Sequence, residues 1–132
     1  IDMVLFNNGG LRASLSEGHL TKRDIYQLMP FENELVVLSL SIDDVEQLMN
    51  YLNYTGGQPS AFSEWFKIDE LPFYVLTTDY LANGGDKMRF FNNKHQNLLG
   101  VKMRDAIIQY CLEKDTIASQ LDNRHLYFMT NE

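Results

Sequence analysis

Glu34-Leu35-Val36-Val37-Leu38-Ser39-Leu40 runs directly into Ser41-Ile42-Asp43-Asp44 and a helical pattern, and this junction narrows the fold more than any other stretch. The first seven residues are rich in branched apolar side chains and read as a strand. Ser41, with an acid three residues on, is a helix-capping signal. Behind it Ile42, Val45, Leu48, Met49 and Leu52 recur at helical spacing, which predicts an amphipathic helix to about Tyr54. Strand and helix therefore share one core.

The rest of the chain mixes the same two elements. Residues 1–6, Ile-Asp-Met-Val-Leu-Phe, read as a short buried strand, and Asn7-Asn8-Gly9-Gly10 as a turn. Thr21-Lys22-Arg23-Asp24 opens a second capped helix with Ile25, Leu28 and Met29 on one face, stopped by Pro30. Thr55 to Ser60 reads as a loop. Ala61–Ile68 and Phe73–Thr78 read as strands, Leu81–Lys87 as a turn cluster and Met88–Phe91 as a short strand. Val101–Glu113 reads as a helix with Met103, Ile107, Tyr110 and Cys111 on its buried side, and His125–Met129 as a closing strand. Strands and helices do not alternate strictly, so the pattern predicts an α+β fold in one domain, 1–132.

At 45% hydrophobic residues the chain can bury a core. Its net charge of −7 repels a polyanion, and no stretch gathers Lys and Arg into a stripe, which argues against a nucleic-acid polymer as partner. A small nucleotide is not excluded, because local donors outweigh a distant net charge. The single cysteine, Cys111, forms no internal disulfide and reads as a buried thiol. His19, His95 and His125 have no metal-ligand spacing, and no metal site is expected. No apolar run reaches the roughly 18 residues of a membrane span. Ser14 and Ser16 lack a nucleophile-elbow context. Asp43, Asp44 and Glu46 sit where carboxylates favour a helix N-terminus.

Three motifs remain. Asn7-Asn8-Gly9-Gly10-Leu11-Arg12, then Leu20-Thr21, then Leu28-Met29-Pro30-Phe31-Glu32-Asn33, resembles the N-G-G-G-[IL]-R … [IL]-T … [VL]-x-P-F-x-N pattern of the 5'-nucleotidase C-terminal domain. Thr78-Asp79-Tyr80-Leu81-Ala82-Asn83-Gly84-Gly85-Asp86 resembles that family's N-[FY]-[LI]-A-x-G-G-D-G stretch. Val101-Lys102-Met103-Arg104-Asp105-Ala106 matches its V-x-x-R-D-A pattern. Order and spacing agree over nearly the whole chain.

The resemblance implies mixed sheets with helices packed outside, in α/β/β/α layers, and a domain that grips a nucleoside or nucleotide. Phosphate-ester hydrolysis, of the 5'-nucleotidase or UDP-sugar hydrolase type, would take place at a dimetal site in a metallophosphatase domain, fused or separately encoded. It implies that Phe31 and Tyr80 sandwich the base, that Asp86 accepts from the ribose hydroxyls, that Arg12 points donors at the ribose and that Asn7 bonds the base edge. Gly9, Gly10 and Gly85 would complete the substrate-binding set. No catalytic residue is expected here, and the divalent metals would belong to the other domain, so this chain alone is expected to be inactive. The family's domain begins with a segment before Ile1, so the first part is expected to be missing, as the apolar opening also suggests. The family's usual location is periplasmic, secreted or surface-anchored.

The same residues carry a physical case. A nucleobase offers a π-face to any ring, and stacking is worth about 1–3 kcal/mol per base. An ionised Asp only accepts, which suits a vicinal diol. Glycines let the backbone approach closely. Plainer readings stand beside these. Phe31 after a proline is also a core residue, Tyr80 can pack on Leu81, Asp86 can cap its own turn, and Arg12 can be a surface ion pair. Asn8 stands where the family has a third glycine, and Lys87 where it has glycine after the aspartate. The alternative function is a stand-alone, non-catalytic nucleoside-binding or structural module.

Overall fold

The computed structural model describes residues 1–63, 71–114 and 116–118. Its elements run β1 (Met3–Leu5), α1 (Lys22–Leu28), β2 (Glu34–Leu40), α2 (Ile42–Thr55), β3 (Ser60–Phe62), β4 (Phe73–Thr78), α3 (Asp79–Ala82), β5 (Gln96–Lys102) and α4 (Met103–Glu113). The five described strands make one mixed sheet in the order β3-β1-β4-β2-β5. β1 is parallel to β4, and the other pairs are antiparallel. The fold is α+β, as the sequence pattern predicts.

The junction at Ser41 works as its chemistry requires. Ser41 Oγ accepts from the Asp44 amide while the Asp44 carboxylate accepts from the Ser41 amide, so two orphan donors of the helix start are satisfied reciprocally. Thr21 and Asp24 form the same box at α1. Gly56, left-handed at φ 80°, ends α2. Val45, Leu48 and Leu52 of α2 join Leu5, Val36, Leu38, Leu40, Phe73 and Val75 of the sheet in one buried cluster. Ser41→Ala should therefore lower stability by about 0.5–2 kcal/mol in urea unfolding, the usual cost of a lost cap, with the slope unchanged.

Three expectations need correction. Met88–Phe91 is not a strand: Arg89–Phe91 is a 3₁₀ turn. Met88 and Phe91 are both fully buried, and their three-residue spacing points them to one side only in a helical turn. The helix predicted from Val101 begins at Met103, because Val101 and Lys102 belong to β5, a strand the sequence does not announce. Nor is its buried side as expected: Arg104 is the buried residue of α4, Met103, Ile107 and Cys111 are half-buried, and Tyr110 is exposed. The expected strand Ala61–Ile68 is seen as Ser60–Phe62; residues 64–70 and the expected strand His125–Met129 lie outside the described residues.

Candidate functional site

Leu35 at the start of β2 pairs with Thr78 at the end of β4, so the segments entering one strand and leaving the other meet at one end of the sheet. Asp79 ties them. Its Oδ1 accepts from the Glu34 amide at 3.2 Å and from the Tyr80 amide at 2.8 Å. Phe31, just before β2, and Tyr80, in α3, are the exposed aromatics of these segments, with 44% and 47% of their surfaces open. Neither is a core residue.

Tyr80 is held by the turn that follows it. Its hydroxyl donates to Asp86 Oδ1 at 3.0 Å and accepts from the Asp86 amide at 3.3 Å. A Cβ on Gly85 would stand 2.6 Å from Tyr80 Cε1, Cζ and the Tyr80 carbonyl oxygen, so the ring lies directly against glycine backbone. Asp86 itself is left-handed at φ 51°, a conformation that costs a non-glycine residue about 1–3 kcal/mol and needs surrounding bonds to persist.

Phe31 is backed by Arg12, whose guanidinium carbon lies 5.2 Å from the ring centroid. Arg12 Nε donates to the Gly9 carbonyl at 2.7 Å and its amide to the Leu28 carbonyl at 2.8 Å. Arg12 thus joins the Asn7–Gly10 turn to α1 and the Phe31 segment. Asn7 is buried beneath its own turn: a Cβ on Gly9 would lie 3.3 Å from its Nδ2, and one on Gly10 3.1 Å from its Oδ1. A small pocket between these parts is lined by Asn7, Gly10, Phe31, Asn33, Thr78 and Arg104, among others. Asn33 and Arg104 were not singled out for the site, although both lie inside the quoted motifs; nothing in a linear pattern says which motif residue faces a pocket.

Glu32, between Phe31 and Asn33, is gripped by two cations. Lys102 Nζ and Arg104 Nη2 both bond its carboxylate, the second at 2.6 Å. Arg104 Nη1 also donates to the Met29 carbonyl at 3.4 Å, and its guanidinium lies 4.0 Å over the Tyr26 ring. The Lys102 hydrogen bond, then that of Arg104, holds the Glu32 carboxyl down at about 2. A carboxyl lowered on folding adds stability above its ordinary value and loses it as pH falls through its folded one. Urea midpoints should therefore drop between about pH 4.5 and pH 2. Glu32→Gln should flatten part of that acid limb, by a small amount because Glu32 is solvent-exposed.

Among the described residues no three His, Cys, Asp or Glu side chains gather as metal ligands, and no helix is long and apolar enough to cross a membrane. The arrangement offers two half-open rings, a carboxylate and a guanidinium.

Residues 1–66 match the model of the family described as 5'-nucleotidase, C-terminal domain. The chain belongs to this family. A probable 5'-nucleotidase of Treponema pallidum is 37% identical over 49 residues, which is 37% of this chain and 8% of that protein. An endonuclease of Bacillus subtilis is also 37% identical over 49 residues, 37% of this chain and 4% of its own length. This 5'-nucleotidase C-terminal domain thus spans a small part of either relative. In fold it is similar to the 5'-nucleotidase precursor of Thermus thermophilus, with a TM-score of 0.78 at 21% identity over 99% of this chain and 32% of that one. It is also similar to the NAD nucleotidase of Haemophilus influenzae, with a TM-score of 0.67 at 20% identity over 86% and 27%. The family match carries the Asn7–Arg12 and Phe31–Asn33 segments. The Tyr80–Asp86 segment lies beyond residue 66.

Proposed function

We propose that this 5'-nucleotidase C-terminal domain holds the nucleoside part of a nucleotide for hydrolysis at a dimetal centre in another domain or chain. The observation that carries this reading is the seat of Tyr80: one side of the ring rests on Gly85, its hydroxyl is fixed to Asp86, and nearly half of its surface stays open. A base would stack on that ring and on Phe31. The Asp86 carboxylate, with an oxygen not taken by Tyr80, would accept from the ribose hydroxyls. Arg12 Nη groups and the Asn33 amide complete the polar complement.

The reading assigns this chain binding and orientation, and the hydrolysis to the dimetal centre of the other domain. A location outside the cytoplasm, periplasmic, secreted or surface-anchored, belongs to the same proposal and rests on family membership. Titrating adenosine and AMP into the chain, followed by amide NMR, tests the function. Shifts should concentrate at Phe31, Asn33, Tyr80 and Asp86 with submillimolar to millimolar affinity. An absence of shifts at saturating millimolar nucleoside sinks the reading.

A further inference from the structure

Two polar side chains outside every motif lie between the two glycine turns. Gln58 Oε1 accepts from the Asn8 amide at 2.9 Å. A backbone N–H can only donate, so this bond fixes which end of the Gln58 amide faces Asn8. Gln58 Nε2 is thereby turned to the Tyr51 hydroxyl, 3.5 Å away. Tyr51 in turn donates its one proton to the Asp86 carbonyl at 2.8 Å. The Asp86 amide donates to the Tyr80 hydroxyl, and that hydroxyl donates to the Asp86 carboxylate. The bonds run one way from the Asn8 amide through Gln58 and Tyr51 to the Asp86 carbonyl, and a second pair runs from the Asp86 amide, on the other peptide group of that residue, through Tyr80 to the Asp86 carboxylate. Aligned hydrogen bonds polarise one another, and the Tyr80 bond ends on an anion, where such bonds are strongest.

We infer that Tyr51 and Gln58 are positioning residues that lock the Asn7–Gly10 turn to the left-handed turn at Asp86, so that the two halves of the candidate site keep one spacing. Neither residue touches a ligand in this scheme. Tyr51 is placed to act, because its ring is held edge-on to Phe90 at 5.7 Å between centroids, and Phe90 packs on the core. Its hydroxyl is therefore anchored by a rigid body, and what it anchors is the strained Asp86 backbone. Burial, opposed by the Gln58 hydrogen bond and aided by the Asp86 carboxylate, pushes the Tyr51 hydroxyl above the ordinary tyrosine value, so it keeps its proton at neutral pH and remains a donor. Gln58 reaches from the exit of α2 to a turn 50 positions earlier in sequence.

The inference rests on the proposed function only for its effect on binding, so the test has two independent arms. Tyr51→Phe keeps the ring and removes the hydroxyl; Gln58→Ala removes the bridge at a half-buried site. In the ligand-free chain, hydrogen exchange should quicken at both Asn8 and Asp86 in either variant, relative to the core amides of Val36 and Leu38. In the binding arm, each variant should raise the adenosine dissociation constant about 5- to 10-fold, the effect of one lost hydrogen bond. The double variant should be little worse than either single one, because both break the same chain. If Tyr51→Phe leaves exchange at Asn8 unchanged, or the two effects simply add, the coupling is overturned. If the unaltered chain binds no adenosine, the functional proposal falls, and the exchange arm still decides whether the turns are locked.

Discussion

Gly85→Ala should destabilise the chain by about 1–2 kcal/mol and weaken adenosine binding at least 10-fold. Two effects compete. Replacing glycine removes freedom from the unfolded chain, which stabilises by about 0.4–1 kcal/mol where the folded backbone allows it. Against this, the new Cβ would meet Tyr80 Cε1, Cζ and the Tyr80 carbonyl oxygen at 2.6 Å. The ring tip can swing, but the carbonyl is part of α3 and cannot retreat alone. Overpacking of this kind costs about 1–3 kcal/mol, so the clash wins. Any swing of the ring also breaks its two hydrogen bonds with Asp86, and the stacking surface is lost with it. Urea unfolding gives the first number and an NMR titration the second. A variant as stable as its parent, with unaltered affinity, means that the ring does not rest on Gly85.

Phe31→Ala and Tyr80→Ala should each weaken adenosine binding by roughly 5- to 150-fold, from the 1–3 kcal/mol of base stacking; Phe31→Ala should shift stability little, while Tyr80→Ala also removes the two hydrogen bonds that hold Asp86. Burial decides this split. The two rings are 44% and 47% exposed, so their removal opens no core cavity. Phe91 is fully buried, and Phe91→Ala should cost about 3–5 kcal/mol of stability instead. The contrast between a ring that serves binding and one that serves folding is read by running both assays on all three variants. Ribose alone, titrated in parallel, should be insensitive to Phe31→Ala. Equal stability losses at Phe31 and Phe91 would assign Phe31 to the core.

What was legible in the sequence is what local chemistry dictates. β2 and β4 were found to the residue from their branched and aromatic runs, whereas the short helix capped by Thr78, Asp79–Ala82, was not expected, its last residues having been read as part of a turn. α1 and α2 were found through their capping boxes. β5 was missed because its apolar residues are not alternating and not buried: Leu98, Leu99 and Val101 are all exposed, and Gly100 interrupts them at φ 70°. Arg104 was missed because its burial depends on Glu32 and Tyr26, more than 70 positions away in sequence. At the site, the resemblance named Phe31, Tyr80 and Asp86 together, and the structure bonds Tyr80 to Asp86. The motifs could not give the seat of Tyr80 on Gly85, the turn of Asn7 beneath its own loop, or the part of Tyr51 and Gln58. Those follow only from which backbones meet.

The strand order has a consequence for how the molecule comes into being. β4 lies between β1 and β2, so these two strands are not joined into one sheet until residues 73–78 pair with both. A chain halted after residue 66 would hold the whole family-matched stretch and still lack the rib that joins its halves. Assembly must wait for a late partner, and pairings so distant along the chain are slow to form. During synthesis residues 1–66 should emerge with β1 and β2 not yet locked into one sheet, their facing edges open until Phe73–Thr78 follows.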